Sequence, residues 1–164
     1  MPKPNIGDQA PEFSLSASGT TRSPLGNGQK ISLKDFRDKK NVVLYFYPKD
    51  DTPGCTVEAC GFRDSIKNIE AQDTIVLGVS PDKIASHEKF IKKFNLPFLL
   101  LSDEDHTMST AYGVWVEKSM YGRKYMGIER ATLVIDKAGK IIKIFEKVKP
   151  QGHNEEVLEV LKTL

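Results

Sequence analysis

Two side chains of the 164-residue chain are sulfur nucleophiles, Cys55 and Cys60, and both lie in one stretch, Tyr45 to Asp64, which reads YFYPKDDTPGCTVEACGFRD. A thiol does chemistry as its thiolate, so the first question is whether the local sequence favours that form. Here an apolar run ends at Pro48, a Pro/Asp/Gly loop follows, and a helix is expected to open near Cys55. A thiol in the first turn of a helix faces unpaired backbone N–H groups and the positive end of the helix dipole, and both favour the thiolate.

That effect has a calculable limit. Lowering a thiol pKa from roughly 8.5 to about 6 raises its thiolate fraction at pH 7 about 30-fold. Nucleophilicity falls with pKa at a slope of about 0.45, which takes back roughly 13-fold. The net gain is about twofold. Rapid chemistry on an electrophile therefore also needs donors aimed at the charge that develops on the leaving atom.

The elements that must position these groups follow from hydrophobic patterning. Asn41–Tyr47 (NVVLYFY) is an unbroken apolar run and reads as a central strand covered on both faces. Thr56–Ala71 has helical spacing, with Val57, Phe62, Ile66 and Ile69 on one face. Thr74–Val79 reads as a second buried strand and Asp82–Phe94 as a helix, with Ser80 as N-cap and Pro81 at its first position. Phe98–Leu101 is expected to be a strand and Met108–Tyr112 a short helix. Ala131–Ile135 and Ile141–Val148 flank a hairpin turn at Asp136–Gly139, and Glu155–Leu164 closes the chain as a helix with Val157, Leu158 and Leu161 inward. Ala17–Gln29, rich in Ser, Thr, Gly and Pro, reads as an exposed loop. The order of elements predicts an α/β fold, a mixed central sheet flanked by helices.

Composition narrows the function. The length fits one domain, residues 1–164. Net charge is +2, from 24 basic and 22 acidic residues without clustering, which argues against nucleic acid as partner. The longest apolar run is far too short for a membrane span, and Met1–Asn5 carries no apolar signal region. A cytoplasmic location is expected, or an organelle if a transit peptide has been removed. With two cysteines a disulfide-rich scaffold is excluded. His87, His106 and His153 have no metal-ligand spacing with each other or with the cysteines, so neither a metal nor another cofactor is expected. The run Glu88, Lys89, Lys92, Lys93 reads as a solvated helix face, and Trp115 and Tyr121 as packing residues.

Pro48-Lys49-Asp50-Asp51-Thr52-Pro53-Gly54-Cys55 resembles the P-x-x-x-T-x-x-C motif of peroxiredoxins. The Cys-x-x-x-x-Cys spacing, GVSPD at Gly78–Asp82 and YGVW at Tyr112–Trp115 resemble the peroxiredoxin Q subfamily, also called bacterioferritin comigratory protein. The likeness runs from Gly7-Asp8-Gln9-Ala10-Pro11-Glu12-Phe13 to the closing helix, with a longer connection at Ala17–Gln29 than is usual. The resemblance implies a thioredoxin-like fold and a thiol peroxidase acting on hydrogen peroxide and organic hydroperoxides. It implies Cys55 as the peroxidatic thiolate, Thr52 as a hydroxyl on the peroxide, Arg130 as the stabiliser of thiolate and peroxide, and Pro48 as a shield from water. Glu58, a turn after Cys55, is expected to orient Arg130.

Cys60 is expected to resolve the oxidised Cys55 as an intramolecular disulfide. Positions i and i+5 of an ideal helix lie about 8.6 Å apart between Cα atoms, beyond the roughly 4.4–6.8 Å that a disulfide spans, so the helix must unwind for the bond to form. An intramolecular bond needs no second subunit, so a monomer is expected. The resemblance implies thioredoxin or a similar dithiol protein as reductant. Two rivals stand beside this reading. A disulfide reductase would use Cys-x-x-Cys, and a redox-switched binding or holdase protein would oxidise once without turnover.

Overall fold

The computed structural model describes residues 3–19 and 30–164, so residues 20–29 of the expected Ala17–Gln29 loop lie outside the described part. The strands are β1 (Ser14–Ser18), β2 (Lys30–Ser32), β3 (Asn41–Phe46), β4 (Thr74–Ser80), β5 (Leu99–Ser102), β6 (Trp115–Met120), β7 (Arg123–Ile128), β8 (Ala131–Ile135) and β9 (Ile141–Phe145). The α-helices are α1 (Pro53–Asp64), α2 (Ile66–Ala71), α3 (Ile84–Phe94), α4 (Thr107–Ala111) and α5 (His153–Leu161), and a 3-10 turn covers Leu33–Phe36.

Seven strands form one sheet in the order β2-β1-β5-β4-β3-β8-β9. The β3–β4 and β4–β5 pairs are parallel and the outer pairs antiparallel, which makes the sheet mixed as expected. β3 sits inside it, and every one of its residues is buried. The period of two in a strand divides its side chains between two cores. Val42, Leu44 and Phe46 face one, with Phe13, Phe36, Leu77, Leu99, Met108 and Tyr112. Val43, Tyr45 and Tyr47 face the other, with residues of α1, α2, α3 and α5. Among the described residues no helix is long and apolar enough to cross a membrane.

Several expectations are corrected. The long helical stretch is two helices broken at Ser65, and the first begins at Pro53 rather than Thr56. Val57 is 47% exposed and lies off the buried stripe, which runs through Cys55, Glu58, Ala59 and Phe62. Ser80 does not cap α3. It ends β4, its hydroxyl donates to Asp82 Oδ2 at 2.6 Å, and the N-cap position falls on Lys83. Ala17 and Ser18 are buried in β1 instead of opening a surface loop. Tyr121 does not pack: it is 99% exposed at the tip of the β6–β7 hairpin, where φ is 53°.

Candidate active site

β3 delivers the chain to the crevice beyond its carboxyl end, where open α/β sheets form sites. Pro48, half-buried, follows directly and offers no N–H for further pairing. Asp51 then takes a left-handed backbone (φ 58°), a turn conformation that Asp tolerates. This swings Thr52 into the extended N-cap position of α1, with Pro53 at N1. The Thr52 hydroxyl does not cap the helix. It donates to Lys49 O at 3.0 Å, closing the loop on itself and leaving oxygen lone pairs to accept from elsewhere. The first backbone bond of the helix runs from Thr56 N–H to Thr52 O at 2.8 Å, so the N–H groups of Gly54 and Cys55 precede the ladder.

Cys55 falls in this first turn and is 1% exposed. Arg130, between β7 and β8, reaches it across 75 residues of sequence: Nη2 donates to Cys55 Sγ at 3.3 Å. The other arm, Nη1, donates to Glu58 Oε1 at 2.7 Å. The neighbouring carboxylate, Glu129, pairs with Lys3 at 3.5 Å. Burial pushes the Glu58 carboxyl up to about 7, against the pull of the facing guanidinium. Burial also works against the Arg130 charge, but Glu58 and Cys55 outweigh it and hold the guanidinium above its ordinary value. The result is a planar cation with one arm fixed on a carboxylate and the other on sulfur, the fork geometry that lysine lacks.

The structure brings together Cys55, Glu58 and Arg130. It places Thr52 one helical turn before Cys55 and Pro48 at the loop's entry, with neither in a hydrogen bond to the sulfur. Cys60 is half-buried on the same helix, and both cysteines are free thiols.

A model of the AhpC/TSA family matches residues 6–144. The chain belongs to that family. It is 49% identical to the putative peroxiredoxin bcp of Coxiella burnetii over 93% of this chain and 95% of that protein. It is 46% identical to peroxiredoxin Bcp of Bacillus subtilis over 97% and 96% of the two chains. Among solved structures, a cysteine-to-serine variant of Xylella fastidiosa PrxQ superposes with a TM-score of 0.86 at 37% identity, covering 97% of this chain and 96% of that one. Xanthomonas campestris peroxiredoxin Q gives 0.83 at 37% identity over 92% and 90%. The protein is thus a peroxiredoxin of the Q type, a thiol peroxidase, and its neighbours carry the thioredoxin-like fold.

Other contributors to this peroxiredoxin site are invisible to spacing alone. Gly54 lies under the guanidinium: a Cβ there would stand 3.2 Å from Arg130 Nη2 and 3.4 Å from Pro150 Cγ. Its absent side chain is what lets the arginine lie over the helix start, and Pro150 closes the other flank. Val148 N–H donates to Arg130 O at 3.1 Å, so the segment after β9 also fixes the arginine's backbone. The Pro/Asp/Gly composition of the loop marks Gly54 as a turn residue, but no local signal points to Pro150, which arrives only through the tertiary fold.

Proposed function

We propose the following division of labour in one domain spanning the chain. The Cys55 thiolate attacks the terminal oxygen of hydrogen peroxide or an organic hydroperoxide. A sulfur–oxygen bond forms, the O–O bond breaks, and water or an alcohol leaves with the proton of the peroxide. The sulfenate left on Cys55 takes up a proton from solvent to give sulfenic acid; sulfur is oxidised by two electrons and the peroxide is reduced by the same two. Arg130 stabilises the attacking sulfur and the developing oxyanion, Thr52 holds the peroxide, Pro48 keeps water from the sulfur, and Glu58 orients Arg130. Cys60 then attacks the sulfenic sulfur, water leaves, and an intramolecular disulfide results. A thioredoxin-type dithiol returns both cysteines to thiols. The cycle needs no second subunit, so the enzyme works as a monomer, and its dithiol recycling suits the reducing cytoplasm.

The observation that carries this reading is the Arg130 fork, 3.3 Å from Cys55 Sγ and 2.7 Å from Glu58. The Cys-x-x-x-x-Cys spacing, in place of Cys-x-x-Cys, argues against a disulfide reductase. The test is peroxide consumption with thioredoxin and its reductase. Cys55→Ser is expected to abolish turnover, and Cys60→Ser to reduce one equivalent of peroxide and recycle poorly. Full activity in Cys55→Ser would end the proposal.

A further inference from the structure

The loop that carries Thr52 and leads to Cys55 is gripped from behind by a buried polar cluster that the peroxide chemistry does not use. His87, on α3, is wholly buried. Its Nδ1 lies 2.7 Å from Asp50 Oδ2 and its Nε2 lies 3.0 Å from Leu101 O. A backbone carbonyl only accepts, so Nε2 carries a proton. Asp50 also accepts from Ser86 Oγ at 2.8 Å and from the Tyr47 hydroxyl at 2.6 Å. Tyr47, Ser86 and the His87 ring thus converge on one buried carboxyl group, each within hydrogen-bond distance. The ring bridges Asp50 on the loop and Leu101 on β5.

The other groups facing the pair fit that arrangement. Burial and the Asp50 charge push the Tyr47 phenol well above its ordinary value, which keeps it a donor. Asp82 is occupied by the Ser80 hydroxyl at 2.6 Å and by the Asp50 backbone N–H at 2.8 Å. The 2.7 Å between His87 and Asp50 is a hydrogen bond, not the wider spacing of two ligands around one ion. The surface repeats the grip: Lys93, also on α3, bonds Asp51 at 2.9 Å. Between these anchors the backbone takes its left-handed step at Asp51 and turns Thr52 into place.

We propose that His87 is a positioning residue for peroxide reduction, clamping Asp50 so that the Pro48–Thr52 loop presents Thr52 and Cys55 to the peroxide. The inference rests on the roles given to Cys55 and Thr52 above. Its physical core is that a buried hydrogen-bonded polar group tolerates the loss of its partner badly, so the loop has one seat and no cheap alternative. Displacement of a reacting group by about 1 Å can cost about 100-fold in rate.

Two near-isosteric substitutions separate the two bonds of the ring. His87→Asn places an amide donor where Nδ1 stood, keeping the bond to Asp50 and losing that to Leu101. His87→Gln reaches the place of Nε2, keeping Leu101 and losing Asp50. The rate of Cys55 oxidation by hydrogen peroxide in a single turnover, and amide exchange over residues 48–60, are the readouts. His87→Asn is expected to stay within about threefold of the parent. His87→Gln is expected to oxidise about 30-fold more slowly, with faster exchange confined to 48–60. Equal impairment of the two variants, or a His87→Gln variant like the parent, overturns the clamp. Should neither variant fold, nitrogen NMR of the parent decides: an Nδ1 signal shifted by a hydrogen bond to Asp50 is expected, and an Nδ1 without that bond overturns the clamp. Cys55→Ser runs alongside. Activity there defeats the reading of the site itself, whereas an inactive Cys55→Ser beside a parent-like His87→Gln defeats only the clamp.

Discussion

Replacing Arg130 tests most directly what the site geometry does. Arg130→Met removes the cation that touches Cys55 Sγ at 3.3 Å while keeping an unbranched chain of similar length. At that separation, with an effective dielectric of about 20, the charge–charge attraction is about 5 kcal/mol before solvation is counted. Glu58 draws on the same cation at 2.7 Å, so the share left for sulfur is nearer a charge-assisted hydrogen bond, about 1.5–3 kcal/mol. Losing a preorganised donor at a developing oxyanion typically costs about 100- to 1,000-fold. The two scales overlap near 100-fold, and that is the expected fall in the rate of Cys55 oxidation. Arg130→Lys keeps the charge but cannot bridge sulfur and carboxylate together, so a loss of about 10-fold is expected. The assay mixes reduced enzyme with peroxide, quenches at millisecond intervals with an alkylating reagent, and counts unmodified Cys55 by mass. Arg130→Met strands Glu58, whose carboxyl burial already pushes up to about 7, so it escapes by taking a proton. Measuring Arg130→Met again in a Glu58→Gln background removes that complication. A loss under threefold in both backgrounds refutes the role given to Arg130.

Two further outcomes follow from groups around the sulfur. Glu58 titrates at about 7 in the folded protein against 4.5 for the free group, so the folded state keeps a proton that the unfolded chain sheds between those values. Its contribution to stability is full below about 4.5 and is lost as pH rises through about 7, a change of at most about 3 kcal/mol. Urea midpoints of the parent should therefore fall from pH 5 to pH 8 more steeply than those of Glu58→Gln, and equal slopes would contradict the assignment. The Tyr45 hydroxyl is buried without a hydrogen-bond partner among the described residues, while its ring packs on Phe62 with centroids 4.8 Å apart. Tyr45→Phe keeps the ring and removes the stranded oxygen, so a gain of about 1 kcal/mol is expected in urea unfolding, and a loss would show a partner for that oxygen.

The sheet was legible where one periodicity dominated. NVVLYFY predicts a strand buried on both faces because both of its alternating sets are apolar, and β3 has apolar cores on both sides. The β6–β7 hairpin was not legible because most of it faces solvent, so no apolar stripe marks it; its signal was Tyr121-Gly122, which both take positive φ. Ser80-Pro81 imitates a helix start because propensity cannot know that Asp82 captures the serine hydroxyl. At the site, the helix-start position of Cys55 could be read from local sequence. The Arg130 contact needed either the resemblance or the fold, since no spacing rule links residues 75 apart. Asp50 and His87 were legible only as loop and helix residues, because burial, not residue type, gives them a partner.

The proposed cycle sets opposing demands on α1, and the placement of Glu58 shows how one residue can serve both. Reaction with peroxide needs the helix intact, because its first turns hold both Cys55 and Glu58 against Arg130. Disulfide formation needs those turns undone, because helical geometry keeps the two cysteines too far apart to bond. A buried carboxylate with one oxygen lacking a partner among the described residues costs free energy that is recovered when the turn opens to water. At pH above about 7 that recovery favours unwinding, while the Arg130 bond opposes it until Cys55 has reacted. The far end of α1 has no such relief. Phe62 is fully buried against Tyr45 and His153, and Asn154 packs so closely on Gly61 that a Cβ there would meet its Oδ1 at 2.9 Å. Asn154 also donates to Ser65 Oγ at 2.7 Å, tying the end of α1 to α5. In the proposed cycle unwinding would therefore be confined to the turns between Pro53 and Cys60, the span that has to move to bring the two sulfurs together.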